Sequence, residues 1–407
     1  MLGISTSRID VLAVGHAPVL WVNRTVYRIL LRYGWQLEIA IPRRLPWSND
    51  LNFVQPDHVA DPPIHRFEPR GRHIRFWSFD GLGALLDRKR PRIVYLENGP
   101  DSVMAWEIGG WCKRNDAVLI SNTYENDLLT LREIFYGRRV WAGLRSVRSH
   151  VWGRIARKRV NHVVAICEDG RKAMQLIGFK DAVSVTPLGF DPTLFFPDPV
   201  RRATQRKALG VSEPVIGYFG RVNRDKGVHI LIAALAELKK LSWHLLIDEH
   251  DSTEQMDWLR RAINEMGIRD RVITFTASHE GIADYMRAAD IVVVPSIVKE
   301  QYGRVAPEAM ACRCATIVSD IGALPELVGD AGVKVPPGNI RALSVATAEL
   351  LTNPERRATL ASRAETRAHA ELSVERQATH LDALFRRLSK DLSQSKSGIL
   401  GGNHYDR

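Results

Sequence analysis

Short apolar runs alternate with amphipathic stretches along most of the chain. In the first half, this pattern predicts buried strands at residues 9–14, 37–41, 93–96, 117–120 and 162–166. In the second half, it predicts strands at residues 215–219, 244–247, 272–275, 291–294 and 315–318. Helical spacing fills the intervals between strands, and alternating strands and helices indicate doubly wound parallel sheets. The fold class predicted is therefore α/β.

The predicted helices complete this outline. One helix is expected at residues 21–33, where Gly34 stops it. The second half predicts helices at 227–239, 254–266, 281–288, 305–311 and 340–351, and then a charge-rich helical pattern over 354–388. Residues 183–197 contain three prolines and are expected to link two domains. Two domains also suit a chain of 407 residues, which is too long for a single hydrophobic core.

Charge is distributed unevenly between the two halves. Residues 1–190 hold 28 Lys and Arg against 18 Asp and Glu, whereas residues 191–407 hold 29 against 28. A basic first half predicts an anionic surface or ligand on that side only. The four cysteines lack disulfide spacing and no apolar run reaches the length of a membrane span, so we expect a cytoplasmic protein. The apolar stretch near the start is interpreted as a first strand rather than a secretory signal.

A glycine-bounded loop carrying two cations follows the predicted strand at 215–219. Gly220 permits a tight turn, and Arg221 and Lys226 lie just before the next helix. A guanidinium and an ammonium beside a helix start suit a diphosphate. A solvated loop without a ligand is the competing interpretation.

Two carboxylates eight positions apart follow the strand at 291–294. Glu300 and Glu308 flank Gly303, and carboxylates can accept hydrogen bonds from paired sugar hydroxyls. Glu308 could instead be a first-turn residue that the helix dipole favours. A third strand-to-helix turn, at 319–328, is interpreted as structural, because Pro325 and Glu326 suit the start of a helix.

Taken together, these segments resemble the retaining glycosyltransferases of family four, which have the GT-B fold. The matching motifs are G-R-x4-K-G at 220–227, Glu-x7-Glu at 300–308 and P-x-G-F-D at 187–191. The resemblance implies two Rossmann-like domains whose parallel sheets face a central cleft. It places an acceptor-side domain at 1–188, a nucleotide-sugar donor domain at 189–375, a helix at 376–390 that crosses back to the first domain, and a flexible tail at 391–407.

The resemblance also implies residue roles. Arg221 and Lys226 would bind and stabilise the donor diphosphate, Glu308 the ribose, and Glu300 the transferred sugar. The full donor-binding set predicted is Gly15, His16, Gly220, Arg221, Lys226, Glu300, Tyr302, Gly303, Arg304, Val305 and Glu308. The acceptor-side candidates are Glu97, Asn98, Tyr124 and Glu125, and the catalytic candidates are Arg221, Lys226, Glu300 and Glu125.

The donor is expected to be a UDP-sugar or a GDP-sugar, and no other cofactor is implied. We expect no catalytic metal, because no Asp-x-Asp stands at a predicted strand end and two protein cations are available to the diphosphate. The resemblance implies retention of anomeric configuration. A glycan or lipid-linked acceptor of the cell envelope is the predicted partner.

The most basic stretch of the chain is 132–159. Nine Lys and Arg accompany a single acid, Glu133, while apolar residues recur at helical spacing. This pattern is typical of a helix that lies on an anionic membrane surface. A core-facing helix with a solvated basic side fits equally well. The membrane interpretation would place the protein on the inner face of a membrane, as a peripheral protein.

Other functions remain open on the sequence. A nucleotide-sugar epimerase of similar fold and a catalytically silent nucleotide-sugar-binding relative both fit the same motifs. A dinucleotide oxidoreductase lacks support, because no G-x-G-x-x-G follows a predicted strand. A nucleic-acid-binding protein is disfavoured, because the basic residues form no known binding module.

Overall fold

The chain forms two compact units. The computed structural model describes residues 8–45, 56–71, 73–127, 147, 150–151, 153–249, 252–278 and 280–400, the last nine of these by backbone alone. Unit 1 comprises Met1–Pro187 together with Glu375–Arg407, and unit 2 comprises Leu188–Val374.

Unit 1 is built on a seven-stranded sheet in the order β3-β2-β1-β6-β7-β8-β9, with every pairing parallel. Its strands are β1 (Val11–Gly15), β2 (Leu37–Pro42), β3 (Ile64–Phe67), β6 (Ile93–Glu97), β7 (Val118–Thr123), β8 (His162–Ala165) and β9 (Val183–Val185). The remaining strands, β4 (Pro69–Arg70) and β5 (Ser78–Phe79), form a small antiparallel pair. The central strands are buried on both faces, as a parallel sheet covered by helices requires.

Helices connect these strands. The described α-helices of unit 1 are Thr25–Arg32, Leu82–Lys89, Val103–Arg114 and Glu168–Leu176, with 3-10 turns at Ala17–Val19, Trp21–Arg24 and Ile74–Phe76. The long final helix, Val374–Leu400, packs on this unit from Glu375 onward. Its fully buried Phe385 meets the rings of Trp35 and Tyr95 edge-on, at centroid distances of 5.6 and 5.7 Å.

Unit 2 is built on a six-stranded sheet in the order β12-β11-β10-β13-β14-β15, again entirely parallel. Its strands are β10 (Val215–Tyr218), β11 (His244–Asp248), β12 (Val272–Phe275), β13 (Ile291–Val294), β14 (Ala315–Ser319) and β15 (Val333–Val335). Its helices are Pro199–Leu209, Val228–Ala236, Thr253–Glu265, Ile282–Ala288, Val305–Ala311, Leu324–Val328, Ile340–Thr352 and Pro354–Glu371, with a 3-10 turn at Arg269–Arg271. One core of mostly aliphatic side chains joins the sheet to the helices Val228–Ala236, Thr253–Glu265, Ile340–Thr352 and Pro354–Glu371.

The predicted elements are recovered with five differences. The helical pattern predicted over 354–388 forms two helices, Pro354–Glu371 and Val374–Leu400. The link predicted at 183–197 begins with strand β9, whose three half-buried residues are too few to show a period. Strands β3 and β15 were not predicted, because both are short and carry only half-buried or mixed positions. The helix predicted from residue 21 starts as a 3-10 turn and becomes an α-helix only at Thr25. The final helix runs to Leu400 instead of 390, since no proline interrupts the sequence there.

Within the described residues, no helix combines the length and apolar character that crossing a membrane requires.

Replacing Phe385 by Ala tests whether the final helix is an integral part of unit 1. The loss of a fully buried ring should lower the free energy of unfolding by about 3–5 kcal/mol. Denaturant unfolding measures this change, with Lys390→Ala, an exposed position of the same helix, as the matched control. If both variants unfold alike, the helix contributes no core.

Candidate active site

In each sheet, the strand order reverses at one position. From there, successive strands are added toward one edge of the sheet and then toward the other. In unit 1 this place lies between β1 and β6, and in unit 2 between β10 and β13. Ligands of doubly wound sheets bind there, beyond the carboxyl ends of the strands. The predicted site residues Gly15 and Glu97 end β1 and β6, and the loop at 220–227 and Glu300 follow β10 and β13. The topology thus brings each pair of segments to one sheet edge.

The loop at 220–227 is held in shape by its own side chains. The hydroxyl of Tyr218 donates to the carbonyl of Arg221 at 2.6 Å, and the amide of Lys226 donates to Oδ1 of Asn223 at 2.9 Å. Gly227 closes the loop with φ +71°, and a Cβ there would lie 1.9 Å from the carbonyl oxygen of Pro295. Glycine is therefore required where the loop crosses the end of β13. Lys226 is fixed directly beside this crossing.

Lys226 and Glu300 form an ion pair at the centre of this site. The Nζ atom of Lys226 lies 2.6 and 2.7 Å from the two carboxylate oxygens of Glu300. The hydroxyl of Ser296 also donates to Oε1 of Glu300. The Lys226 side chain is 22% exposed and that of Glu300 is 11% exposed, so the pair is partly screened from water and yet reachable. The cation-bearing loop and the acid-bearing turn therefore converge, as predicted from their strand ends.

Two glycines shape the turn that carries Glu300. Gly322 has φ +62°, and a Cβ there would lie 2.5 Å from the carbonyl oxygen of Glu300. The neighbouring amide of Ala323 donates to that same carbonyl at 3.2 Å. Gly303 has φ +90° and sits against Leu324, where a Cβ would come within 2.5 Å of a methyl carbon. The turn at 319–328, interpreted from sequence as structural, thus supports Glu300 through its backbone.

Glu308 lies in the helix Val305–Ala311 and is buried. Burial raises the pKa of its carboxyl to about 7, although Arg304 opposes this shift. The Nε atom of Arg304 lies 3.7 Å from Oε1 of Glu308, too far for a good hydrogen bond. A hydrogen-bond donor, such as a hydroxyl group of a ligand, could therefore still stabilise the Glu308 carboxylate.

The remaining residues predicted to bind the donor differ in their burial and contacts. Tyr302 is buried and its hydroxyl donates to the carbonyl of Leu188, so it supports the fold of unit 2. Val305 begins the helix that carries Glu308. The side chain of Arg221 is exposed and makes no ion pair with any described residue. Gly220 sits beneath the ring of Tyr218, whose hydroxyl oxygen would be 3.2 Å from a Cβ.

In unit 1, Gly15 and Glu97 are partners in the parallel register of β1 and β6. A Cβ on Gly15 would lie 2.6 Å from Cβ of Glu97, so only glycine fits beside this glutamate. Oε1 of Glu97 accepts a hydrogen bond from the hydroxyl of Tyr27, while Oε2 is buried without a partner among the described residues. Burial raises the pKa of the Glu97 carboxyl to about 7, and the bond from Tyr27 partly offsets the rise.

Three further unit 1 predictions fall at the same sheet edge. His16 follows Gly15, contacts Trp77 edge-on at 6.3 Å, and has its pKa lowered to about 4 by burial, so it is neutral. Asn98 donates to the carbonyl of Ile74 at 2.9 Å and accepts from the amide of Gly99, which makes it a loop-holding residue. Tyr124 follows β7 and is half-buried.

Glu125 is held by a salt bridge that the sequence did not indicate. Nη2 of Arg75 lies 2.6 Å from its Oε2, and the same guanidinium also binds Asp101. The amide of Asp127 donates to Oε1 of Glu125 at 3.3 Å. Both carboxylate oxygens are thus engaged.

Sequence reasoning missed Ser296, Tyr27 and Arg75. Ser296 stands at the end of β13, four positions before Glu300, and that strand-end position was a usable signal. Tyr27 lies 70 residues from Glu97, and Arg75 lies 50 residues from Glu125, so no local pattern connects them.

The raised pKa of Glu308 has a consequence for stability. The folded carboxyl keeps its proton up to about pH 7, whereas its ordinary value is 4.5, so the folded state binds more protons between these values. Stability should therefore fall as pH rises through this window and stay lower above it. Glu308→Gln should remove about 3 kcal/mol of that fall, as measured by unfolding at several pH values. An unchanged pH dependence would show that Glu308 ionises normally.

Comparison with known proteins agrees with this arrangement. Residues 201–367 match the family model described as "Glycosyl transferases group 1". A D-inositol 3-phosphate glycosyltransferase from Stackebrandtia nassauensis is 34% identical over 196 residues, which are 45% of this chain and 44% of that protein. The chain thus spans less than half the length of this relative. The lipopolysaccharide core biosynthesis mannosyltransferase LpsB of Rhizobium meliloti is 24% identical over 69% of this chain and 80% of its own length.

A solved structure shows the fold over most of the chain. The crystal structure of Anabaena HepE in complex with UDP superimposes with a TM-score of 0.71 and 19% sequence identity, and covers 93% of this chain and 100% of HepE. With two parallel sheets flanked by helices, the predicted fold class is confirmed. Residues 201–367 are thus similar to the group 1 glycosyl transferases, and the two Rossmann-like units of the chain have the GT-B fold.

Proposed function

We propose that this protein transfers a hexose-type sugar from a UDP-sugar or GDP-sugar to a glycan or lipid-linked acceptor. The observation that carries the proposal is the ion pair of Lys226 and Glu300 at the strand-order reversal of unit 2. An ammonium beside a carboxylate suits a ligand that combines phosphate with sugar hydroxyls. Named relatives that act on inositol phosphate and on lipopolysaccharide core, and a neighbour that binds UDP, support the same chemistry.

Lys226 and Arg221 would act on the leaving diphosphate. The bond between the anomeric carbon and the diphosphate oxygen breaks, and its electron pair stays on the diphosphate, whose added charge the two cations stabilise. Among the described residues, Lys226 pairs with Glu300 alone, and Arg221 is exposed, so both can turn to the phosphates. This charge stabilisation would take the place of a metal ion.

Glu300 and Glu308 would recognise the hydroxyl groups of the donor. When Lys226 turns to a phosphate, the carboxylate of Glu300 keeps its bond from Ser296 and gains room for a hydroxyl of the transferred sugar. Glu308, buried and only weakly paired, would bind the ribose hydroxyls. A hydroxyl that donates to Glu300 would replace the ammonium of Lys226. A hydroxyl that donates to Glu308 would give a buried carboxyl group a hydrogen-bond partner.

The acceptor would bind to unit 1, where Glu97 offers an unpartnered carboxylate oxygen. The acceptor oxygen forms the new bond to the anomeric carbon, and its proton passes to a phosphate oxygen of the leaving group, with retention of configuration. A role in cell-envelope polysaccharide synthesis, at the cytoplasmic face of a membrane, fits the basic first half of the chain.

Donor binding and the role of Lys226 are tested together. Among UDP-sugars and GDP-sugars, at least one should raise the melting temperature of the protein and be turned over in the presence of EDTA. Lys226→Ala should reduce sugar transfer about 10²-fold, because it removes a cation from the leaving group. Lys207→Ala, an exposed lysine of the same unit, is the control. Full transfer by Lys226→Ala would refute the assignment, and conversion of the donor sugar without acceptor would indicate an epimerase.

The acceptor-side role of Glu97 is tested by Glu97→Gln. Above the raised pKa of about 7, where Glu97 is ionised, loss of a hydrogen bond to a charged group should raise the acceptor KM about tenfold or more, while donor hydrolysis by water stays near the wild-type rate. Glu38→Gln is the matched control, since Glu38 is also buried in this sheet but pairs with His65 and Lys89. An equal loss of transfer and donor hydrolysis would instead indicate a structural role for Glu97.

A further inference from the structure

One helical segment of unit 1 exposes apolar side chains at the surface. Residues 147, 150–151 and 153–156 are helical, and Val147, Val151 and Ile155 recur every four residues along one stripe. Such residues normally face a core, yet Val151 is 54% exposed. The stripe therefore lies at the surface, whereas Gly153 and Ala156 of the same segment are buried. Residues 132–146 and 148–149, together with Trp152, lie outside the described residues.

Ile155 separates two grooves on this surface. The first, of about 500 Å³, is lined by Arg154, Ile155, Arg157, Lys158, Leu176 and Lys180, among others. The second, of about 590 Å³, is lined by Trp106, Lys113, Arg114, Ile155, Lys158 and Arg159, together with Gly110. The helices Val103–Arg114 and Glu168–Leu176 thus extend the surface beyond the basic segment recognised from sequence.

The charge of both grooves is entirely positive. Among the described residues, seven Lys and Arg line them, and no Asp or Glu does. No described carboxylate lies within ion-pair distance of any of the seven, so their charge is not neutralised within the described part of unit 1. A concentration of cations that no described carboxylate neutralises attracts anions over about a Debye length.

Apolar side chains stand among these cations. Trp106 is 39% exposed, and the guanidinium of Arg159 stacks 3.2 Å over its ring. Leu176, in the first groove, is 44% exposed. Isolated exposed apolar residues are common, but here Trp106, Ile155 and Leu176 are interleaved with seven cations.

We propose that these two grooves form a binding site for the phosphate headgroups of anionic lipids in a bilayer, with Trp106, Val151 and Ile155 entering the headgroup layer. The cations contact the phosphates, and the apolar side chains leave water. This deepens the proposed function, since it would bring unit 1 to a membrane that holds a lipid-linked acceptor. A nucleic acid would satisfy the cations but would leave the aliphatic stripe exposed to water.

Vesicle flotation of the full chain tests the proposal. The protein should bind vesicles that contain phosphatidylglycerol, bind phosphatidylcholine vesicles far less, and dissociate as salt rises. Lys158→Glu, which alters both grooves, and Val151→Asp should each lower partitioning about tenfold or more. Lys207→Glu and Val200→Asp are matched controls on an exposed helix of unit 2 and should bind like wild type.

Equal binding to both kinds of vesicle, absence of binding, or wild-type binding by Lys158→Glu and Val151→Asp would overturn the proposal. Binding of duplex DNA without binding of vesicles would also overturn it. Thermal melting of each variant distinguishes a lost surface from a lost fold. No nucleotide sugar is present, so a negative result here leaves the donor chemistry of unit 2 untouched, and failed sugar transfer would not affect vesicle binding.

Discussion

The ion pair of Lys226 and Glu300 depends on two strand ends that meet at one edge of a sheet. Glu300 receives Lys226 from the loop after β10 and Ser296 from the end of its own strand. The approach is so close that Gly227 and Gly322 both adopt positive φ, and a Cβ on either would overlap a backbone carbonyl. The glycines at these two positions are therefore explained by the need to place the ammonium of Lys226 against the carboxylate of Glu300.

The two units use the same topology for different chemistry. Each sheet reverses its strand order once, and a glutamate lies at each reversal. The carboxyl of Glu97 has a raised pKa, and Glu300 pairs with Lys226. In unit 2 the glutamate faces a cation, as suits a phosphate-bearing ligand. In unit 1, Glu97 faces a phenol and pairs with no described cation, which suits a neutral hydroxylated ligand. These different surroundings are the chemical basis of the proposal that the donor binds to unit 2 and the acceptor to unit 1.

Much of this could be predicted from sequence. Every predicted strand exists within three residues of its expected bounds, because fully buried parallel strands are short continuous apolar runs. The meeting of Lys226 and Glu300 followed from the rule that ligands gather at carboxyl ends of strands. The short outer strands β3, β9 and β15 were missed, since three or four half-buried residues carry no readable period.

The remaining features depend on contacts between distant residues. The bridge of Arg75 to Glu125 and the bond of Tyr27 to Glu97 join residues that share no local pattern. The buried Arg24, whose side chain donates to the carbonyls of Pro18 and Val19, fixes the turn after β1 and explains why the first helix begins as a 3-10 turn. Only the folded structure shows which partners these long side chains contact.

The most direct measurement is a crystal structure of this protein with an intact nucleotide sugar. The account predicts that Nζ of Lys226 leaves Glu300 for a diphosphate oxygen, and that the carboxylate of Glu300 accepts a hydroxyl of the sugar. A complex in which the Lys226–Glu300 pair stays closed while the diphosphate binds elsewhere would contradict it.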